Sequence, residues 1–303
     1  MKVIIIGGTG FLGKHLITRM LENNYEISVI GRNFSDELFR DSRLSIIKAN
    51  TTVQGSWQDD VVKNEIVINL AGASIFTRWS NKAKNEIYET RILTTKNIVE
   101  AFQFRSLPMR YLLNASAVGY YGDGHDDILD EKSPAGDDFL SNLSRDWEDE
   151  ALKAESKNTH VVTMRFGIIL GRHGGAFSKL KTLFKYLLGA ELGNGKQWFS
   201  WIHEDDLVNA MLFLIQKQSL QGPINMTSPN PITNSELTQT LARVVKRPLI
   251  LPPAPAFIMR SILGEFSDVL LKGQRVKPKK LQSEGFNFLF PTLEEALRDL
   301  LKQ

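Results

Sequence analysis

Residues 3–13, VIIIGGTGFLG, decide the fold class of this chain. A short apolar run that favours a buried strand leads directly into a glycine-rich turn, and the apolar residues that follow have helical spacing. A turn of this kind directs free backbone N–H groups and the positive end of the helix dipole at a single point. That point suits the phosphates of a dinucleotide. The predicted contacts in the turn are Gly7, Thr9, Gly10, Phe11, Leu12 and Gly13.

The first half of the sequence repeats this alternation of strands and helices. Short β-branched runs predict strands at residues 3–6, 27–30, 44–48, 66–70, 111–115 and 161–166. Such alternation predicts a parallel sheet covered by helices on both faces. We therefore predict an α/β protein with a Rossmann-type, doubly wound parallel sheet and a smaller C-terminal α/β lobe.

The regular alternation fades after about residue 170, which sets the predicted domain boundaries. The nucleotide-binding domain is predicted to comprise residues 1–165, with the segment 203–226 returning to it. Residues 166–202 and 227–303 are predicted to form the smaller lobe.

Composition and charge exclude several classes of site. With 37 basic and 34 acidic residues the net charge is +3, which favours neither nucleic acid nor a membrane as a partner. The chain has no cysteine, so disulfides and thiolate nucleophiles are excluded. Its five histidines show no metal-ligand spacing, and we expect no metal. No apolar run approaches the roughly 18 residues of a membrane span, and a cytoplasmic location is expected.

The residues that end the second predicted strand bear on cofactor choice. An NAD-binding protein usually has Asp or Glu there, about 20 residues beyond the glycine loop, to bind the ribose hydroxyls. This chain has Gly31 and Arg32 instead. A guanidinium can bind a 2′-phosphate at two points, and glycine leaves room beside it. The sequence therefore favours NADP(H) over NAD, with an ordinary surface arginine as the alternative.

The G-x-x-G-x-x-G spacing and later segments resemble the extended branch of the short-chain dehydrogenase/reductase superfamily. These segments are VINLAG at 67–72, RFGIILG at 165–171 and IHEDD at 202–206. The resemblance implies further cofactor contacts at Asn69, Leu70, Ala71, Gly72 and Ile168. It also implies contacts from Glu86 and Arg91 on the next helix, for which a surface ion pair is the alternative.

The candidate catalytic residues are Ser116, at the end of the fifth predicted strand, and the tyrosines Tyr120 and Tyr121 that follow it. In the resembled superfamily a serine at this place works with a Tyr-x-x-x-Lys motif on the next helix. A phenol needs a neighbouring ammonium to act as a base near neutral pH. The three residues here either take part in catalysis or line the nicotinamide pocket, where Ser116 is also a predicted cofactor contact.

The Tyr-x-x-x-Lys motif itself is missing. None of the six tyrosines is followed four residues later by lysine. On the helix expected to carry the motif, at 139–148, the corresponding residues are Leu143 and Trp147. Neither side chain can exchange a proton, so the usual acid/base pair of the superfamily is absent.

Three segments narrow the resemblance: NLAGASI at 69–75, DFLSNLSRDWE at 138–148 and WIHEDDL at 201–207. They are similar to a group of atypical short-chain dehydrogenase/reductases named NAD-dependent epimerase-like proteins, over essentially residues 1–302. That group has a characteristic C-terminal domain of undefined role. The epimerase name implies little about activity here, because it comes from relatives with an intact motif.

Two functions fit the sequence. One is an NADP(H)-binding oxidoreductase or epimerase-like enzyme that acts on a small polar substrate. The other is a catalytically silent module that binds NADP(H) for a regulatory or structural purpose, through a protein partner. The retained Ser116 and the tyrosine pair favour the enzyme.

Overall fold

The computed structural model describes residues 1–34, 37–103, 110–156 and 158–302. Its strands are β1 (Lys2–Ile6), β2 (Glu26–Gly31), β3 (Leu44–Lys48), β4 (Ile66–Asn69), β5 (Arg110–Ala117), β6 (Ile128–Leu129), β7 (Thr159–Phe166), β8 (Ile168–Leu170), β9 (Trp198–Phe199), β10 (Trp201–His203), β11 (Gly222–Met226), β12 (Ile232–Thr233) and β13 (Arg275–Val276).

Helices connect these strands and cover the sheet. They are α1 (Phe11–Glu22), α2 (Trp57–Val61), α3 (Asn81–Gln103), α4 (Phe139–Leu152), α5 (Gly175–Lys185), α6 (Glu204–Lys217), α7 (Asn234–Val244), α8 (Ala256–Leu263), α9 (Asp268–Leu271), α10 (Lys279–Ser283) and α11 (Leu293–Leu301). None of the helices in the described ranges is long and apolar enough to cross a membrane.

Seven strands form one parallel sheet in the order β3-β2-β1-β4-β5-β7-β11. The chain moves outward from β1 to β3, then crosses back to β4 and continues in the other direction. Loops after β1 and β4 therefore diverge at the carboxyl edge of the sheet, where a ligand can enter between them. The predicted doubly wound α/β fold is confirmed.

The alternation of side chains along β1 explains why helices cover both faces. Val3 and Ile5 belong to a core shared with α1 and α6. Ile4 and Ile6, which point the opposite way, belong to a core shared with α2, α3 and α4. All four side chains are fully buried. A strand buried on both faces reads as a continuous apolar run, as residues 3–6 do.

The segment 203–226, assigned to the first domain from sequence, contains α6 and the edge strand β11. β11 pairs in parallel with β7, from Gly222 opposite Val162 to Met226 opposite Phe166. The smaller lobe also draws on the first 165 residues, because β6 at Ile128–Leu129 pairs with β13 near the C-terminus. Such a two-residue strand has too little sequence pattern to be predicted.

The C-terminal lobe has its own apolar core, formed by α5, α7, α11 and the strands β8 and β10. Helix α7 begins with the capping box that its sequence indicates. The Thr233 hydroxyl accepts the Glu236 N–H at 3.2 Å, and the Glu236 carboxylate accepts the Thr233 N–H at 2.7 Å. This fixes the start of the helix that packs against α11.

The turn from β10 into α6 joins the two lobes. His203 caps α6, its Nδ1 accepting the Asp205 N–H at 3.1 Å. Asp206 accepts N–H groups of Leu289 at 2.7 Å and Phe290 at 3.0 Å, which docks the C-terminal segment. Burial raises the pKa of Asp206 and lowers the pKa of His203 to about 4. Both groups therefore act as structural connectors here.

Because His203 is buried in its neutral form, we expect the protein to lose stability in acid. Its folded-state pKa lies below the value of about 6.5 expected when unfolded, so protons bind the unfolded chain first. The resulting stability loss begins as pH falls below about 6.5 and ends near pH 4. When the pH falls from 7 to 5, the unfolding free energy of wild type should decrease by about 2 kcal/mol more than that of His203→Asn. Asparagine can still cap the helix.

Urea denaturation at the two pH values measures this difference. His173→Asn, at an exposed histidine, is the matched control and should behave as wild type. Equal pH dependence in wild type and His203→Asn would contradict the prediction.

Candidate functional site

A cavity of about 600 Å³ lies at the carboxyl edge of the sheet, lined by residues that follow β1, β4, β5 and β7. The predicted cofactor residues that line it are Gly7, Gly10, Phe11, Leu12, Gly13, Leu70, Ala71, Gly72, Arg91, Ser116 and Ile168. Those that do not line it are Thr9, Gly31, Arg32, Asn69 and Glu86.

The glycine loop fits a dinucleotide phosphate. Gly7 has a φ of 80°, and a Cβ there would lie 2.8 Å from the Ala71 nitrogen, so a side chain would collide with the β4 loop. A Cβ at Gly13 would lie 2.5 Å from the Gly8 Cα, so α1 packs closely on the loop. Gly10 is exposed, and the first turn of α1 carries no acidic residue. The helix start is thus open to an anion.

Asn69 supports the loop that follows β4, on the side away from the cavity. Its Oδ1 accepts the Ala71 N–H at 3.1 Å, and its Nδ2 donates to Asn114 at 2.7 Å. This side chain is fully buried. Asn69 therefore holds the loop against the sheet, while its neighbours Leu70, Ala71 and Gly72 form the cavity wall.

Arg32 lies at the end of β2, outside the cavity, with an exposed side chain. No ion pair of Arg32 with a carboxylate occurs in the described part of the chain. Thr9 packs beside the neighbouring Gly31, where a Cβ would lie 2.7 Å from the Thr9 methyl group. The three residues thus form an open, positively charged shelf next to the glycine loop.

Glu86 and Arg91 do not form the ion pair considered from sequence. Glu86 is exposed and lies away from the cavity. Arg91 lies across Gly72, donates to the Ile87 carbonyl at 2.9 Å and has its guanidinium 5.2 Å from the Trp147 ring. Burial lowers the pKa of Arg91 to about 10. Arg91 has no carboxylate partner among the described residues and lines the same cavity as the glycine loop, so it suits a phosphate.

Ser116 is held by a buried ion pair that the sequence did not reveal. Its hydroxyl donates to Glu148 Oε1 at 2.6 Å. Arg165 donates to the same carboxylate through Nε and Nη2, each at 2.8 Å. The ion pair is 3% and 5% exposed. The sequence offered one signal for this pair. Glu148 and Arg165 are charged residues on a helix and a strand whose sequence patterns indicate burial.

Tyr121 completes this network behind the cavity wall. Its hydroxyl accepts from Arg165 Nη1 at 2.9 Å and donates to Asn225 Oδ1 at 2.7 Å. Burial raises the pKa of Tyr121 to about 12. The Tyr120 ring stacks on Arg165, 3.5 Å from the guanidinium carbon.

Neither tyrosine is among the described residues that line the cavity. The geometry therefore does not favour either one as a proton donor. Leu143 and Trp147 do line it, on the face of α4 expected for the missing Tyr and Lys. The one polar atom of Trp147 is used, because Nε1 donates to Thr95 at 2.9 Å.

The other end of the cavity is apolar. Its wall includes Phe76, Trp79 and Phe139, which we call the aromatic chamber, with Ile75 and Leu140 beside them. A surface of this kind offers few hydrogen bonds and does not favour the small polar substrate expected from the sequence.

A cluster of possible metal ligands lies outside the cavity. Atoms of His203, Asp205 and Asp299 lie within 4.8 Å of one another. His15 contacts Asp205 at 2.8 Å, and Arg172 contacts Asp299 at 3.2 Å, so both carboxylates already have side-chain partners. Asp299 is distant in sequence from His203 and Asp205, so no local motif indicates the cluster.

Comparison with known proteins places the chain in a family. Residues 3–226 match the model of the NAD dependent epimerase/dehydratase family, which is most of the chain. The chain belongs to this family. Residues 254–300 match a separate domain of unknown function, DUF1731.

Relatives are similar to this chain along its whole length. The epimerase family protein SDR39U1 homolog of Arabidopsis thaliana is 38% identical over 100% of this chain and 87% of its own length. Epimerase family protein SA0724 of Staphylococcus aureus is 38% identical over 100% and 99%. The crystal structure of human SDR39U1 with NADPH superposes with a TM-score of 0.87, at 28% identity over 99% of each chain. The family resemblance drawn from sequence is confirmed.

The buried ion pair predicts an uneven response to two similar mutations on α4. Glu148→Gln leaves the Arg165 guanidinium buried without a counter-charge, so we expect a loss of about 3–5 kcal/mol in unfolding free energy. Glu150→Gln disrupts the pair with Lys153, whose side chain is 63% exposed, and should cost less than about 1 kcal/mol. Chemical denaturation compares the two, and equal losses would contradict the prediction.

Proposed function

We propose that this chain is an NADP(H)-dependent oxidoreductase that acts on a small molecule held beyond Ser116. The observation that carries the proposal is the extent of the cavity. It continues from the glycine loop, past Ser116, into the aromatic chamber. A module that only held a nucleotide would have no use for a second compartment beside the nicotinamide end.

The choice of NADP(H) rests on charge. Arg32 occupies the position of the usual ribose-binding carboxylate, and Arg91 lines the cavity together with the glycine loop. Two cations suit the additional phosphate and the pyrophosphate respectively. The human relative, at 28% identity and a TM-score of 0.87, was crystallised with NADPH.

Bound NADPH would supply a hydride to a carbonyl carbon, and solvent would supply the proton to its oxygen. Ser116 uses its only hydrogen on Glu148, so its remaining lone pairs can accept a hydrogen bond from a substrate hydroxyl. Glu148 and Arg165 keep that orientation fixed. General acid catalysis typically contributes about 10²–10⁴-fold, and without the Tyr and Lys pair we expect slow turnover.

A second candidate is the silent NADP(H)-binding module. Leu143 and Trp147, at the wall where proton-transfer groups would lie, favour it. Epimerisation receives less support than simple reduction, because it needs a base to remove a proton. The one carboxylate that the described structure places next to Ser116 is Glu148, which is buried and already paired with Arg165.

Arg32→Asp tests the cofactor proposal. A charge-assisted contact contributes roughly 1.5–3 kcal/mol, so we expect wild type to bind NADPH about tenfold or more tightly than NADH. The substitution should erase or reverse that preference and leave NADH affinity nearly unchanged. Fluorescence titration with both nucleotides at fixed ionic strength provides the measurement.

Arg40→Asp is the matched control, because it makes the same charge change at a nearby exposed arginine. It should keep the preference for NADPH. Equal affinities for the two nucleotides in wild type would refute the role assigned to Arg32.

Ser116→Ala separates the two candidate functions. If the chain is an oxidoreductase, single-turnover oxidation of NADPH should be detectable with some member of a panel of aldehydes and ketones. We expect the alanine variant to slow this step by about tenfold or more and to weaken NADPH binding by a smaller factor. Tight NADPH binding without oxidation by any carbonyl would instead support the silent module.

A further inference from the structure

The walls of the aromatic chamber come from three separate parts of the chain. Trp79 meets Phe139 edge-on with ring centroids 5.1 Å apart. Phe266 supports both Trp79, at 5.9 Å, and Phe76, at 6.0 Å. Edge-to-face contacts of this kind hold the rings in defined orientations. The chamber is therefore a preformed apolar compartment.

The polar atoms around the chamber are already engaged. Trp79 donates its indole N–H to the Ile75 carbonyl at 3.0 Å. Asp138 caps α4, accepting the Ser141 N–H at 2.8 Å. A ligand in the chamber therefore meets ring faces, ring edges and aliphatic groups, with few free hydrogen-bonding partners.

The charges near the chamber give an anion no net attraction. The charged residues of this wall are Asp138, Glu265, Asp268 and Lys272. Glu265 pairs with Lys84, and Lys272 pairs with Asp268 at 3.0 Å. Lys84 and Lys272 are thus neutralised. Lys179, 4.6 Å from the Phe76 ring centroid, offsets Asp138, so this wall has no net positive charge to hold a second phosphate group. A nucleoside diphosphate needs free Arg, Lys or helix N-terminal N–H groups at this end.

Helix α4 connects the chamber to Ser116. Phe139, Leu140, Leu143 and Trp147 all line the cavity, spaced along one side of the helix. The nine residues from Phe139 to Trp147 span about 12 Å of helix, roughly the length of a two-ring aromatic molecule with a short substituent. Glu148, the next residue, holds the Ser116 hydroxyl. An apolar path therefore leads from the chamber to the expected place of reaction.

We propose that the aromatic chamber binds an uncharged substrate with an aromatic ring system, bearing a ketone or the corresponding secondary alcohol near Ser116. Its redox role rests on the proposed function. In that reaction NADPH and a solvent proton convert the ketone to the alcohol, the hydride forms the new C–H bond, and NADP⁺ is released. The chamber itself contributes apolar burial and excludes phosphorylated sugars.

Binding is tested apart from turnover, with the protein saturated with NADP⁺, which cannot reduce a ketone. The probes are 2-acetylnaphthalene and UDP-glucuronic acid, titrated by calorimetry. We expect measurable binding of 2-acetylnaphthalene and at least about tenfold weaker binding of UDP-glucuronic acid. Tighter binding of UDP-glucuronic acid, or binding of neither probe, would overturn the proposal.

Three phenylalanine variants locate the site. Phe139→Ala and Phe76→Ala should each weaken 2-acetylnaphthalene binding by about tenfold. Phe257→Ala, at a side chain that is 73% exposed on α8, should leave it unchanged. Phe76 is 48% exposed, so its truncation tests the site even if Phe139→Ala fails to fold. Equal affinities in all three variants and wild type would place the ligand elsewhere.

The result distinguishes this proposal from the oxidoreductase proposal. Ketone binding that depends on Phe76 and Phe139, without any NADPH oxidation, would keep the chamber and refute the redox role. NADPH oxidation by small polar aldehydes, with no binding of 2-acetylnaphthalene, would refute the chamber and keep the redox role.

Discussion

The ion pair between Glu148 and Arg165 connects α4 to β7 in the interior of the protein, and much of the site depends on it. Removing two charges from water is expensive, and only close, fully hydrogen-bonded geometry compensates for it. Here both carboxylate oxygens and three guanidinium nitrogens have partners at 2.6–2.9 Å. Neither side chain can move without leaving a buried charge unsatisfied. The positions of β5, α4 and β7 at the cavity are thereby fixed relative to one another.

The same network extends to the C-terminal lobe. Tyr121, which receives a hydrogen bond from Arg165, donates to Asn225 on β11. Asn225 in turn donates to the Lys277 carbonyl at 3.0 Å, and its own N–H donates to Glu131 at 3.2 Å. Tyr121, in the candidate catalytic segment, therefore has a structural role. Through Asn225, Tyr121 links the end of β5 to a lobe from which Glu265, Asp268 and Val269 line the cavity.

The cavity has two ends of opposite chemical character. At the glycine loop, backbone N–H groups and Arg91 suit anionic groups, and an exposed arginine lies nearby on β2. At the aromatic chamber, the walls are apolar, and the acidic side chains are matched by lysines. Ser116 lies between the two ends. The chain keeps the glycine loop of the family fold and has Leu143 and Trp147 where Tyr and Lys are expected, so the usual proton-transfer groups are absent from those two positions.

The sequence by itself determined the doubly wound fold, the phosphate loop and the missing Tyr and Lys pair. Those features are encoded locally, in the apolar run 3–6, in glycines a few residues apart and in the four-residue spacing of a helix. Only the tertiary structure decided that Glu148 meets Arg165, that Tyr121 is buried and that Phe139 faces Trp79. These partners lie 17 to 104 residues apart, and no periodicity specifies which distant side chains meet. Their contacts follow from how β5, α4 and β7 pack against the rest of the chain.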